Sequence, residues 1–141
     1  MKNLIYAFVL TFLLFSCDDE DKDPILNASE EELVNTVENS VWRISLFIED
    51  GKDETSDYSG ITFNFLPAGK IEAFNGGQLM EEGTWKTLRD DGKLEFWITF
   101  TQNEILEEIS DDWYVLSMTA TKIEMEDDND QFIDKLTLQK K

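Results

Sequence analysis

The amino-acid sequence predicts an all-β fold: an eight-stranded antiparallel up-and-down barrel preceded by a short N-terminal helix. Three observations predict it. From Val41 onward the apolar residues recur with a period of two, the spacing of a strand with one buried face. The runs are short and separated by Gly, Asp and Asn turns, so consecutive strands form hairpins. Each run has one oily face, which implies a single enclosed core.

The elements follow in order. Ser29-Glu30-Glu31-Glu32 is a capping box, with Leu33, Val34 and Val37 on one helical face, and Asn39-Ser40 ends the helix, giving a span of 29–39. Its acids suit the positive end of the helix dipole. The barrel spans 40–141. In its first strand Trp42, Ile44, Leu46 and Ile48 alternate with Arg43, Ser45 and Phe47. Glu49 to Ser59 is polar and reads as a long loop. Ile61, Phe63 and Phe65 form the second strand, Pro67-Ala68-Gly69 a turn, and Ile71 with Ala73 a short third strand. Asn75-Gly76-Gly77 is a strong hairpin signal.

Leu79 to Leu88 is the fourth strand, and Arg89-Asp90-Asp91-Gly92 turns into the fifth, Leu94 to Phe100. Gln102 to Asp112 connects, with room for a helical turn around Ile105, Leu106 and Ile109. Trp113 to Met118, Thr121 to Glu126 and Phe132 to Leu138 complete eight strands. Eight can close a barrel and remove exposed edges. A two-layer sandwich is the rival, but it needs connections that cross between sheets, and only two here are long enough.

Ahead of the helix the chain changes character. Lys2 precedes an apolar stretch, Leu4 to Phe15, interrupted only by Thr11. It is shorter than the roughly 20 residues a membrane-spanning helix needs and has the length of a signal-peptide core. Leu14-Phe15-Ser16-Cys17 resembles the lipobox of bacterial lipoproteins, with Leu three residues and a small Ser one residue before the cut, although Phe15 is bulkier than usual there. By that resemblance 1–16 is a lipoprotein signal peptide, and Cys17, the chain's one cysteine, carries lipid that tethers it to a membrane. Several acyl chains hold a protein stably where one binds marginally. An ordinary secretory signal with an incidental cysteine is the alternative. Residues 17–28, led by Asp18-Asp19-Glu20-Asp21, bury no apolar surface and read as an acidic disordered tether. Such a run resembles the surface-export signals of Bacteroidetes lipoproteins; in enterobacteria an Asp next to the cysteine favours inner-membrane retention instead. The expected location is the cell envelope, as an outer-membrane lipoprotein with possible exposure at the cell surface.

Composition limits the function. The formal charge is −19, with 31 acids against 12 bases. That argues against nucleic acid and against anionic lipid heads as partners, since both need a basic footprint. With no histidine and no cysteine beyond Cys17, Ser-His and Cys-His nucleophile arrangements are excluded. Paired carboxylates could hydrolyse a glycosidic bond, but among 31 acids a pair carries no specificity. The sequence therefore points to binding, not catalysis, with no cofactor. Asp127-Asp128-Asn129-Asp130 and Glu49-Asp50-Gly51 offer oxygen ligands for calcium but lack the EF-hand spacing, so solvated turns are the expectation and no metal site is assigned.

Val41-Trp42-Arg43-Ile44, Phe63-Asn64-Phe65 followed by Pro67-Ala68-Gly69-Lys70, Gly83-Thr84-Trp85-Lys86, Ser110-Asp111-Asp112-Trp113 and Leu136-Thr137-Leu138 stand in an order and spacing that resembles the lipocalin-like domains of Bacteroidetes lipoproteins. Ser40 holds the place of the usual glycine of the lipocalin Gly-x-Trp opening. The resemblance implies a fold and a location without a settled activity. The expected inward set is Trp42, Ile44, Leu46, Phe63, Phe65, Ile71, Trp85, Phe96, Ile98, Phe100, Trp113 and Val115. Its aromatic members Trp42, Phe63, Phe65, Trp85, Phe96, Phe100 and Trp113 are the candidate contacts for a small apolar ligand. The same rings could instead fill the barrel, leaving a protein-interaction or inhibitor module. Tyr58 is either a lid over the mouth or a surface tyrosine, and Trp97, on the opposite face from Phe96, is either a contact residue or covered by the helix or a loop.

Overall fold

The computed structural model describes residues 28–128 and 131–141. Helix α1 (Glu30–Glu38) starts at Ser29, whose hydroxyl accepts the Glu32 N–H while the Glu32 carboxylate accepts the Ser29 N–H. The expected capping box is thus present, satisfying two of the donors a helix start leaves open. Leu33 and Val37 are the face it buries.

Among the described residues nine strands follow: β1 (Val41–Glu49), β2 (Lys52–Asp53), β3 (Ile61–Leu66), β4 (Lys70–Asn75), β5 (Gln78–Asp90), β6 (Lys93–Thr99), β7 (Asp112–Met118), β8 (Lys122–Asp128) and β9 (Ile133–Lys140). Every pairing is antiparallel and sequential from β3 to β9, and β1 pairs with both β3 and β9. This is a closed eight-stranded up-and-down barrel, with β2 a two-residue hairpin arm outside the ring. Two turns within the expected long loop and connection are helical: a 3-10 turn at Thr55–Tyr58 and helix α2 (Glu104–Glu108), the latter capped by the Asn103 side chain. Among the described residues no helix is long and apolar enough to cross a membrane.

Hairpin geometry follows the turn residues. Asp50-Gly51, Gly76-Gly77 and Asp91-Gly92 all sit at positive φ, as the tight turns that match strand twist require. Because the strands alternate in direction, α1 and the start of β1 lie at one end of the barrel. The β1–β2, β4–β5 and β8–β9 hairpins and α2 lie at the other.

One face assignment is corrected. The first strand alternates as expected through Trp42 and Ile44, but its register with β9 shifts between Ile44 and Leu46. The irregularity moves the inward position by one residue, since a single-residue slip exchanges the two faces. Phe47, expected outside, is fully buried, while Leu46, expected inside, is half-buried opposite Thr137.

The thirteen-residue β5 serves two neighbours: it pairs with β4 as far as Thr84 and with β6 from Thr84 onward. Gly83 sits at that handover. A Cβ there would lie 2.3 Å from the Thr99 carbonyl oxygen and 2.8 Å from the Phe100 ring, so β5 and β6 approach only because the side chain is absent. Gly83→Ala is expected to cost about 1–3 kcal/mol through overpacking, read as a shift of the urea midpoint; an unchanged midpoint would mean the strands can part.

Candidate functional site

The candidate ligand contacts are placed together. Trp42, Phe63, Phe65, Trp85, Phe96, Phe100 and Trp113 are all buried, at 5% exposure or less, in one continuous core. Five of them pack ring against ring. Phe65, Trp85 and Phe96 form a triangle with centroids 5.1–5.8 Å apart, two of its contacts edge-to-face. Phe63 meets Phe100 at 6.3 Å. Trp113 meets Phe47 at 6.3 Å, and Phe47 meets Tyr58 at 5.3 Å, both edge-to-face. These are the favoured arrangements of ring quadrupoles.

Three indoles also bind the structures that close the barrel. The Trp42 N–H donates to the Val37 carbonyl at 3.1 Å, tying α1 across the near end. The Trp113 N–H donates to the Ile109 carbonyl at 3.0 Å, just past α2 at the far end. The Trp85 N–H donates to Leu66 at 3.0 Å, holding the turn Pro67–Gly69. Leu33 and Val37 of α1 and Leu106 and Ile109 of the far closure complete the packing, all at most 1% exposed. Among the described residues no buried side-chain nitrogen or oxygen lacks a partner. Open clefts of about 360 and 400 Å³ lie at the surface, and a more enclosed space of about 200 Å³ is lined in part by the buried Ile44, Tyr58 and Ile61. The largest runs along the α1–β1 junction, the next beside Gly69 and Gly83, and the smallest over the β1–β3 seam beside Tyr58.

Tyr58 is not a surface residue. It is 2% exposed, and its hydroxyl donates to the Ile105 carbonyl at 2.8 Å, with Glu108 Oε2 at 3.4 Å. Burial and the adjacent Glu108 carboxylate raise its pKa above the ordinary phenol value, so it stays neutral. β1 pairs with β3 only at Val41 and Trp42, and the tyrosine fills the space beyond, where strand pairing has stopped.

Trp97 is half-buried on the outer face. Its N–H donates to Glu95 at 2.7 Å, and the Lys86 ammonium sits 4.1 Å above its ring. Lys93 covers Tyr114 at 4.3 Å on the neighbouring strand. The cover over Trp97 is therefore a lysine from the adjacent strand, a cation–π contact.

Two acidic groupings stand out. Glu81 is 6% exposed, and its carboxylate accepts the N–H groups of Thr101, Gln102 and Asn103 at 2.8–3.1 Å. It organises the chain entering α2. Sequence reasoning missed it, yet its even spacing from Gly83 and Trp85 placed it on the inward face. At the far rim, carboxylate oxygens of Glu49, Glu54 and Glu108 lie within 4.8 Å of one another, close enough to share a cation. Desolvation first, and then Glu108, Glu54, Asp134 and Asp50, raise the Glu49 pKa. Of the two acidic turns, Glu49-Asp50-Gly51 supplies Glu49 to this cluster and gives its Asp50 N–H to Asp134 at 2.8 Å. The other extends past the described residues at Asn129 and Asp130. Cys17, the signal peptide and the acidic tether also lie outside them.

No protein-family model matches the chain, and no curated protein matches it.

Two outcomes follow. Glu81→Ala strands three backbone donors and should cost about 3 kcal/mol, Glu81→Gln roughly a third of that, measured by chemical denaturation. Asp111, desolvated and hydrogen-bonded to the carboxyl of Asp112, has its pKa pushed up to about 6. An acid raised on folding binds its proton more tightly in the native state. Its contribution is therefore full below about pH 4 and lost as pH rises through about 6. Asp111→Asn should flatten the fall in melting temperature across that interval.

Proposed function

We propose that the protein is an envelope lipoprotein, cut before Cys17 and held at the outer membrane by lipid on that cysteine, whose lipocalin-like barrel acts by binding partners on its outside. The packing of the interior supports this reading above all. Five of the seven candidate aromatics meet one another, all seven belong to one buried core, and Trp42 and Trp113 bond α1 and the end of α2 across the two ends. A barrel of this size either holds one small molecule or fills with its own side chains, and the ring-to-ring contacts of this core favour filling.

A second reading keeps the same rings as contacts for a small apolar ligand, and the closed eight-stranded geometry favours it. It requires a ring to leave its neighbours on binding. Neither reading involves chemistry at a reacting centre, and neither involves nucleic acid, given the charge of −19.

Native mass spectrometry of the mature chain without residues 1–17 separates the two. The filled-barrel reading expects the bare polypeptide mass; a co-purified apolar molecule released on denaturation would favour the ligand instead. The anchor is tested independently: Cys17→Ala should abolish incorporation of labelled fatty acid, and persistent labelling would remove it. The acidic run Asp18 to Asp21, read as a surface-export signal, supports placement on the external face.

A further inference from the structure

The far end of the barrel carries apolar side chains that the core does not take up. Ile105 on α2, Phe132 and Ile133 at the β8–β9 hairpin, and Leu79 beside the β4–β5 hairpin are 38–53% exposed. Among the described residues these are four of the five large exposed apolar ones; the fifth, Val41, lies at the opposite end. Isolated exposed apolar residues are ordinary on a protein surface, but collection at one end is not.

Three of them share that end with one acidic rim. The Phe132 ring packs 3.5 Å from where a Gly51 side chain would begin. Asp50, next to Gly51, bonds Asp134, next to Ile133. Glu49 joins Glu54 and Glu108 within 4.8 Å, and Glu108 is in the same short helix as Ile105. Lys52 pairs with Glu54; among the described residues no lysine or arginine pairs with Glu49 or Glu108. The rim therefore combines apolar anchors with a concentration of carboxylates, of which Glu49 and Glu108 pair with no lysine or arginine. A second copy of the chain would bring like charge against it, which costs free energy.

We propose that this far rim is the docking surface for a protein segment that presents lysine or arginine next to aromatic or aliphatic side chains. This rests on the outside-binding reading above and names its surface and partner chemistry. The apolar residues would supply the desolvated anchors that carry most of an interface's energy, and the carboxylates would steer and orient a basic partner. The rim lies a full strand from α1, where the described chain begins. With β1 nine residues long, that is about 30 Å.

The test is to pan a library of random twelve-residue peptides displayed on phage against the mature chain at physiological salt. Enriched peptides should pair Lys or Arg with aromatic or aliphatic residues. As synthetic peptides they should bind at least tenfold more weakly to Phe132→Ser/Ile133→Thr and to Glu54→Gln/Glu108→Gln, and unchanged to Val41→Thr, with all variants checked for native melting. Binders indifferent to both rim variants would overturn the rim while leaving the outside-binding reading in place. Enrichment without basic residues, or loss with the charge variant alone, would overturn the stated partner chemistry. No enrichment at all would count against both the rim and the reading beneath it.

Discussion

The barrel depends on β1 being bonded along both edges. Its outer neighbours in sequence are β2 and β3, but its longest ladder is with β9, ninety residues later, from Trp42 opposite Lys140 to Ile48 opposite Lys135. A meander of hairpins alone would leave a curved sheet with two free edges. Closure requires the first and last strands to meet with their oily faces on the same side. The irregularity between Ile44 and Leu46 is what lets β1 do so while bending: the half nearest α1 sends Trp42 and Ile44 inward, and the half beyond sends Phe47. Phe47 then supplies the ring on which Tyr58 and Trp113 pack. The far closure is thus built on one slipped residue.

Polar groups inside the structure obey the same economy. Each buried tryptophan uses its single donor on a carbonyl at the end of a helix or at a turn, where carbonyls lack partners within the helix. Glu81 does the converse, offering oxygens to three successive N–H groups ahead of α2. The irregular connections are therefore held by side chains rooted in strands. Their shape is set by the barrel, and the surface they present at the far rim is a consequence of core packing.

Most of the fold was readable from periodicity. The strand runs, the Asn75-Gly76-Gly77 and Asp91-Gly92 turns and the Ser29–Glu32 capping box all declare themselves locally, and the closed up-and-down barrel follows from them. What escaped was nonlocal. The slip in β1 arises from pairing with a strand at the other end of the chain; its only local trace is the run Leu46-Phe47-Ile48, apolar on both faces. Tyr58 sits in a polar stretch that resembles any loop, and its burial comes from the gap left where β1 and β3 stop pairing. Glu81 was hidden because an acid at an inward position runs against hydrophobic patterning, and its three donors lie twenty to twenty-two residues further on.

The Trp42 bond to Val37 bears on how the molecule breathes. A helix of nine residues with acids in its first turn and no base in its last does not persist alone in water. It exists because Leu33, Val37 and that single indole hold it to the strands. Helix and cylinder should then melt as one cooperative unit, with amide protection in α1 matching that of β1, not fraying ahead of it. The plug at this end is a part of the wall, and a molecule entering from this side would first have to break the Trp42 bond.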